Sequence, residues 1–141
     1  LQAGVKFEFE SPELPVEIYG DSDQLTQVFT NIIGNALKYG ASGGRITLRM
    51  TTIAREAALR APGVRLQVID YGAGIDPVHL PRLTERFYRV DGHRSRELGG
   101  TGLGLAIVKH IINRHRGKLN IESALGEGTT VTVMLPTVPL S

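Results

Sequence analysis

A chain of 141 residues, 41% hydrophobic and 21% charged, suits one folded domain with a single core rather than a disordered tail or a multidomain protein. It has no cysteine, which excludes disulfides and thiolate metal sites and fits a reducing compartment. No apolar run approaches the roughly 20 residues of a spanning helix and no secretory n-region opens the chain, so the expected location is cytoplasmic. With 16 basic and 14 acidic residues the net charge is only +2, and the placement of charge says more than its sum.

Val5, Phe7 and Phe9 alternate with Lys6, Glu8 and Glu10, which predicts a strand with one buried face. Pro12 and Pro15 bracket a turn, and residues 16–18 predict a second short strand. Asp21 is placed to cap a long helix running to about Tyr39, with Leu25, Val28, Phe29, Ile32, Ile33 and Ala36 as its core stripe. Asn31, Asn35 and Lys38 recur at i, i+4 and i+7 and form a polar stripe beside the apolar one. This stripe suits a solvated helix face. It equally suits a site in which an amide oxygen meets Mg²⁺ and Lys38 meets phosphate, since asparagine needs a reason inside a helix.

Residues 45–52 predict a strand with Ile46, Leu48 and Met50 inward, and residues 53–63 a long hairpin tip with a short helical turn. Residues 64–70 form the next strand. Period two puts Asp70 on the inward face with Val64, Leu66 and Val68, where a carboxylate is costly unless something donates to it. Gly72 and Gly74 follow at once and leave room for a ligand, although an Asx-turn explains the same residues. Asp76 and Pro77 predict a short helix to about Thr84. Residues 85–97 are polar and basic with aromatic anchors, the composition of a loop closing over a ligand or of a solvated surface. Nucleic acid is not expected, for want of an aromatic strand platform or a recognition helix.

Gly99, Gly100, Gly102 and Gly104 crowd the start of an apolar segment in which Leu105, Val108, Ile111 and Ile112 repeat with helical period, ending at Gly117. Bare backbone N–H groups at a helix start suit an anion, while a flexible turn before a buried helix uses the same residues. Neither the dinucleotide fingerprint nor the Walker phosphate loop fits here, because Ile107 stands where the third glycine belongs. Residues 118–122 and 129–135 predict two strands around a turn at Gly126 and Gly128. Thr129, Val131, Val133 and Leu135 face inward, which brings a second polar group near Asp70.

These residues carry a specific resemblance. Residues 31–39, with Asn31, Asn35, Lys38 and Tyr39, resemble the N box of sensor histidine kinases. Asp70, Gly72, Gly74 and Ile75 resemble the G1 box; Phe87, Tyr88 and Arg89 fall in the F box; and Gly100, Thr101, Gly102, Leu103, Gly104 and Leu105 make the G2 box. Order and spacing are kept over nearly the whole chain, and the sequence is similar to the catalytic ATP-binding half of phosphate-regulon-type sensor kinases. The resemblance implies an α+β fold, a two-layer α/β sandwich whose mixed, mostly antiparallel sheet is covered on one face by helices. It implies one catalytic domain over residues 1–141, with a lid at about 85–100.

By the same resemblance, Asn35 holds Mg²⁺, Lys38 meets the ATP phosphates, Tyr39 lines the adenine side, and Asp70 accepts the adenine amino hydrogen with Thr129 close by through water. Gly102 and Gly104 turn backbone to the phosphates, and Phe87 and Arg89 work the lid. Asn31 stands where hydrolysing relatives of the fold carry a general-base glutamate. The partners implied are a histidine-bearing dimerisation domain and a response regulator receiver domain, with a membrane reached only through other parts of a full-length sensor. The acceptor histidine of the family stands in H-E-x-x-x-P, and His79, His93, His110 and His115 have no such neighbours; His110 and His115 read as helix-face positions near a C-terminus, where positive charge is welcome. Two other readings stay open: an ATP-hydrolysing clamp of the gyrase type, and a nucleotide-binding module without chemistry. Tyr71, where the family most often has Asn, and the long hairpin at 53–63 depart from the pattern.

Overall fold

Alternation of apolar and polar residues drives five segments into one sheet; a computed structural model describes residues 5–11, 18, 20–56, 59–85 and 104–137. In chain order the elements are β1 (Lys6–Glu10), α1 (Ser22–Gly40), β2 (Arg45–Glu56), β3 (Ala61–Asp70), α2 (Gly104–Arg114), β4 (Lys118–Ala124) and β5 (Gly128–Pro136), with 3-10 turns at Ala41–Gly43 and Pro77–Arg82. The strands lie in the order β1-β2-β3-β5-β4. The β1/β2 pair is parallel and the other three are antiparallel. The result is the α+β sandwich implied by the resemblance, with α1 and α2 packed on each other and on one face of the sheet.

Period 3.6 in the helices and period 2 in the strands meet in one core. Val28, Ile32 and Ala36 from α1 and Val108, Ile111 and Ile112 from α2 close on Ile46, Val64, Val68, Val133 and Leu135 from the sheet. The opposite sheet face is polar. There Arg45 pairs with Glu8 at 3.4 Å and Arg49 with Glu10 at 2.6 Å across β1 and β2, exposed contacts that add little stability.

Several boundaries differ from the sequence reading. The hairpin tip is short: residues 53–56 and 61–63 belong to β2 and β3, with a bulge between Ile53 and Glu56. Glu56 hides the pattern, because its side chain is buried and held by a two-pronged pair with Arg65 at 2.5 and 2.9 Å. Leu59 and Arg60 make the turn by donating N–H to the Glu56 carbonyl. The segment capped by Asp76 is a 3-10 helix ending at Arg82, closed by the Leu83 N–H donating to the Leu80 carbonyl, where the sequence predicts a short helix to about Thr84. Residues 16 and 17 of the second predicted strand lie outside the described residues, and Ile18 is not in a strand. The lid beyond Glu85 also lies outside the described residues up to Gly104.

Asp21 caps α1 as expected, its Oδ1 accepting from the Gln24 N–H at 3.0 Å. The end of α2 is less orthodox. Gly117 N–H donates to the Ile112 carbonyl and Arg116 N–H to the Asn113 carbonyl, so the left-handed position of the Schellman motif falls on Arg116, at φ 60°, and not on the glycine. Gly117 is needed for another reason: a Cβ there would stand 2.5 Å from the Met134 carbonyl oxygen on β5. Replacing Arg116 by glycine relieves the left-handed strain and is expected to stabilise the fold by about 0.5–1 kcal/mol, or roughly 2–4 °C in Tm. A thermal melt of Arg116→Gly that shows no rise would contradict that account.

His115 is not the welcome surface charge of the sequence reading. It is half-buried just past α2, where its Nδ1–H donates to the Ile111 carbonyl at 2.8 Å and its Nε2 accepts from the Asp21 N–H at 3.0 Å. Both ring nitrogens are thereby committed, and the ring is the neutral tautomer with its proton on Nδ1. It joins the end of α2 to the start of α1.

Candidate functional site

Asp70 ends β3 on the inward face, as its parity predicts, and is 8% exposed. The ladder register sets Thr129 of β5 directly opposite it. One carboxylate oxygen, Oδ1, accepts two backbone N–H groups, from Gly72 at 3.1 Å and Thr129 at 3.2 Å. The other, Oδ2, has no hydrogen-bond partner among the described residues. Burial raises the Asp70 pKa above the ordinary aspartate value, and the two N–H bonds oppose that rise.

The floor of this site is built from glycines. A Cβ on Gly40, the last residue of α1, would overlap the Asp70 carboxyl group, and a Cβ on Gly72 would stand 2.7 Å from the Gly40 Cα. Bare backbone on both sides lets the helix end abut the carboxylate. Gly74, at φ 77°, lies against the Ala124 carbonyl with no space for a side chain. At Gly72 and Gly74 the missing side chains are thus required by the protein's own backbone.

The polar stripe of α1 runs toward the same region. Asn31 and Asn35 are half-buried and Lys38 is exposed. Asn31 faces the first residue of α2, its Cγ 4.0 Å from where a Gly104 Cβ would stand. Leu105 is half-buried in the first turn of α2, and Ile75 donates its N–H to Ser123 Oγ at 2.7 Å. Among the other residues singled out from the sequence, Phe87, Tyr88, Arg89, Gly100, Thr101, Gly102 and Leu103 lie outside the described residues. The same holds for the side chain of Tyr39.

Residues 20–139 match a protein family described as Histidine kinase-, DNA gyrase B-, and HSP90-like ATPase. This chain belongs to that family. Its relatives include the phosphate regulon sensor protein PhoR of Pseudomonas aeruginosa, 48% identical over 83% of this chain and 25% of that protein. The sensor histidine kinase WalK of Bacillus subtilis is 42% identical over 94% of this chain and 21% of its own length. Among solved structures, the mycobacterial sensor histidine kinase MprB superposes with a TM-score of 0.78 at 31% identity, covering 98% of this chain and 85% of that one. Full-length ShkA in complex with AMPPNP gives 0.78 at 27% identity, covering 98% and 27%. The chain thus spans about a quarter of the length of the curated relatives it matches.

Against the family pattern, Tyr71 points away from the site. Its ring packs under the Arg45 guanidinium, 4.0 Å from centroid to Cζ, and its hydroxyl bonds Thr47 at 2.9 Å on the polar sheet face. A cleft of about 700 Å³ lies at the other end of the domain, lined by Asp21, Leu59, Arg114 and His115 and by Ala61 and Pro136 at the far ends of β3 and β5. It is separate from the Asp70 site of this histidine kinase-type fold.

Two residues at the Asp70 site escaped the sequence reading. Gly40 looked like a helix stop rather than a wall. Ser123 lies one residue beyond the predicted strand, although Leu119, Ile121 and Ser123 share one face and the register pairs Ser123 with Thr129.

Proposed function

We propose that this chain is one catalytic domain that binds MgATP and donates the γ-phosphoryl group to a histidine on a separate dimerisation domain, in two-component signalling with a response regulator receiver downstream. The second carboxylate oxygen of Asp70, Oδ2, carries this reading. A buried carboxylate with one oxygen fixed by backbone and the other without a partner among the described residues is arranged to accept from a ligand N–H, and in this family fold the adenine amino group is the donor that fits. Membership of the ATPase family and the names of the sensor-kinase relatives support the same reading.

Asn35 offers a half-buried neutral oxygen. A neutral oxygen of that kind suits Mg²⁺, an ion that keeps waters and phosphate oxygens as its remaining ligands. When bound, that ion neutralises charge on the phosphates. The family resemblance assigns Lys38 to the phosphates and Tyr39 to the adenine side, and Thr129 stands beside Asp70. It assigns Gly100, Thr101, Gly102, Leu103, Gly104 and Leu105 to the phosphates as well, and a helix start such as that of α2 favours an anion. It gives Phe87, Tyr88 and Arg89 to the lid.

The purified chain incubated with radiolabelled ATP is expected to bind nucleotide and to remain unlabelled. Label is expected on a histidine-bearing dimerisation domain from a related sensor kinase when that domain is added. Stable, acid-labile phosphate on this chain itself would overturn the assignment of the acceptor to another domain.

A further inference from the structure

The hydroxyl of Ser123 sits at a junction of three hydrogen bonds. It accepts from the Ile75 N–H at 2.7 Å, lies 2.9 Å from the Gly128 carbonyl oxygen, and lies 2.8 Å from the Thr129 hydroxyl. A carbonyl only accepts, so the single Ser123 proton goes to Gly128. The Ser123–Thr129 bond must then be made with the Thr129 proton, which leaves Ser123 with its proton and both lone pairs used. Thr129 has no proton left for a ligand. It stands opposite Asp70 in the ladder and donates its backbone N–H to Asp70 Oδ1.

We infer that Ser123 is a positioning residue that fixes base specificity by holding the Thr129 hydroxyl as an acceptor, so that Thr129 and Asp70 together form a wall that only a donating group can face. This rests on the proposed nucleotide reading. An exocyclic amino group, as on adenine, supplies two N–H donors to such a wall. A carbonyl at the same ring position places acceptor against acceptor, which a built polar site rejects strongly.

The experiment compares ATP with inosine triphosphate, which carries a carbonyl in place of the amino group, by calorimetric titration of the whole chain. The unmutated chain is expected to prefer ATP. In Ser123→Ala the Thr129 hydroxyl is released to donate, so inosine triphosphate gains relative to ATP and the preference narrows by about tenfold, the worth of one hydrogen bond. Restoring the hydroxyl with Ser123→Thr is expected to recover the preference. Equal losses for both nucleotides in Ser123→Ala, leaving the ratio as before, would mean a merely structural role and overturn the inference.

Thr129→Val covers the case in which Ser123→Ala does not fold. An acceptor-only Thr129 predicts that ATP weakens more than inosine triphosphate; equal weakening refutes it. If the unmutated chain binds the two nucleotides equally, the adenine reading of Asp70 itself fails, a result seen without any variant.

Discussion

ATP turnover by this chain alone is expected to be negligible, and Asn31→Glu is expected to raise it. Asn31 lies one turn before Asn35 on α1, half-buried and facing the start of α2, the position that the family resemblance gives to the glutamate of hydrolysing relatives. An amide cannot take a proton from water at neutral pH, and general-base assistance is worth a factor of about 10²–10⁴, or roughly 3–5 kcal/mol of barrier. Water in the site is then a poor nucleophile. A neutral imidazole needs no deprotonation before attack, so on the proposed reading the γ-phosphoryl group is kept for histidine. A carboxylate at position 31 supplies the missing base, and phosphate release by Asn31→Glu measures it. Steady-state release of about one per second by the unmutated chain, abolished in Asn35→Ala, would replace the transferase reading by a clamp ATPase.

The second large effect belongs to Asp70, where binding and stability pull apart. Asp70→Ala is expected to weaken ATP by about ten- to a hundredfold, or 1.5–3 kcal/mol, and GTP is expected to bind poorly to the unmutated chain because its carbonyl opposes the carboxylate. Equal calorimetric affinities for ATP and GTP would sink the assignment. Burial holds the native Asp70 pKa above the ordinary aspartate value. The folded state therefore keeps its proton to a higher pH than the unfolded chain does. Stability from this group is present below the ordinary aspartate value and is lost as pH rises through the raised native one. Asp70→Asn keeps an oxygen to accept from Gly72 and Thr129 but cannot ionise. In denaturant melts without nucleotide it is expected to lose less stability than the unmutated chain as pH rises from the ordinary aspartate value through the raised native one, while binding ATP less well. An unchanged pH slope would mean that Asp70 is not the group responsible.

Much of this site was legible because it lies where simple periods hold. Strand parity alone turned Asp70 and Thr129 to the same face, and the register then set them opposite each other. The 3.6-residue period of α1 separated its core stripe from Asn31, Asn35 and Lys38. What escaped was decided across the chain. Glu56 reads as a surface residue until Arg65, nine positions away, is seen to hold it from the neighbouring strand. Gly40 and Gly117 each carry the sign of a helix end, yet their missing side chains answer to Asp70 and to Met134. His115 looks like a charge at a helix terminus until Asp21, on another element, claims its second nitrogen.

Helix α1 is one uninterrupted piece of 19 residues, about 28 Å long at the usual rise. At its first turn it is tied through Asp21 to His115, and at its last residue it lies against Asp70. The helix therefore works as a strut between the two poles of the domain. With no proline among its residues to serve as a joint, a push at the Asp21 end is delivered to the carboxylate end as a displacement of the whole rod rather than absorbed on the way.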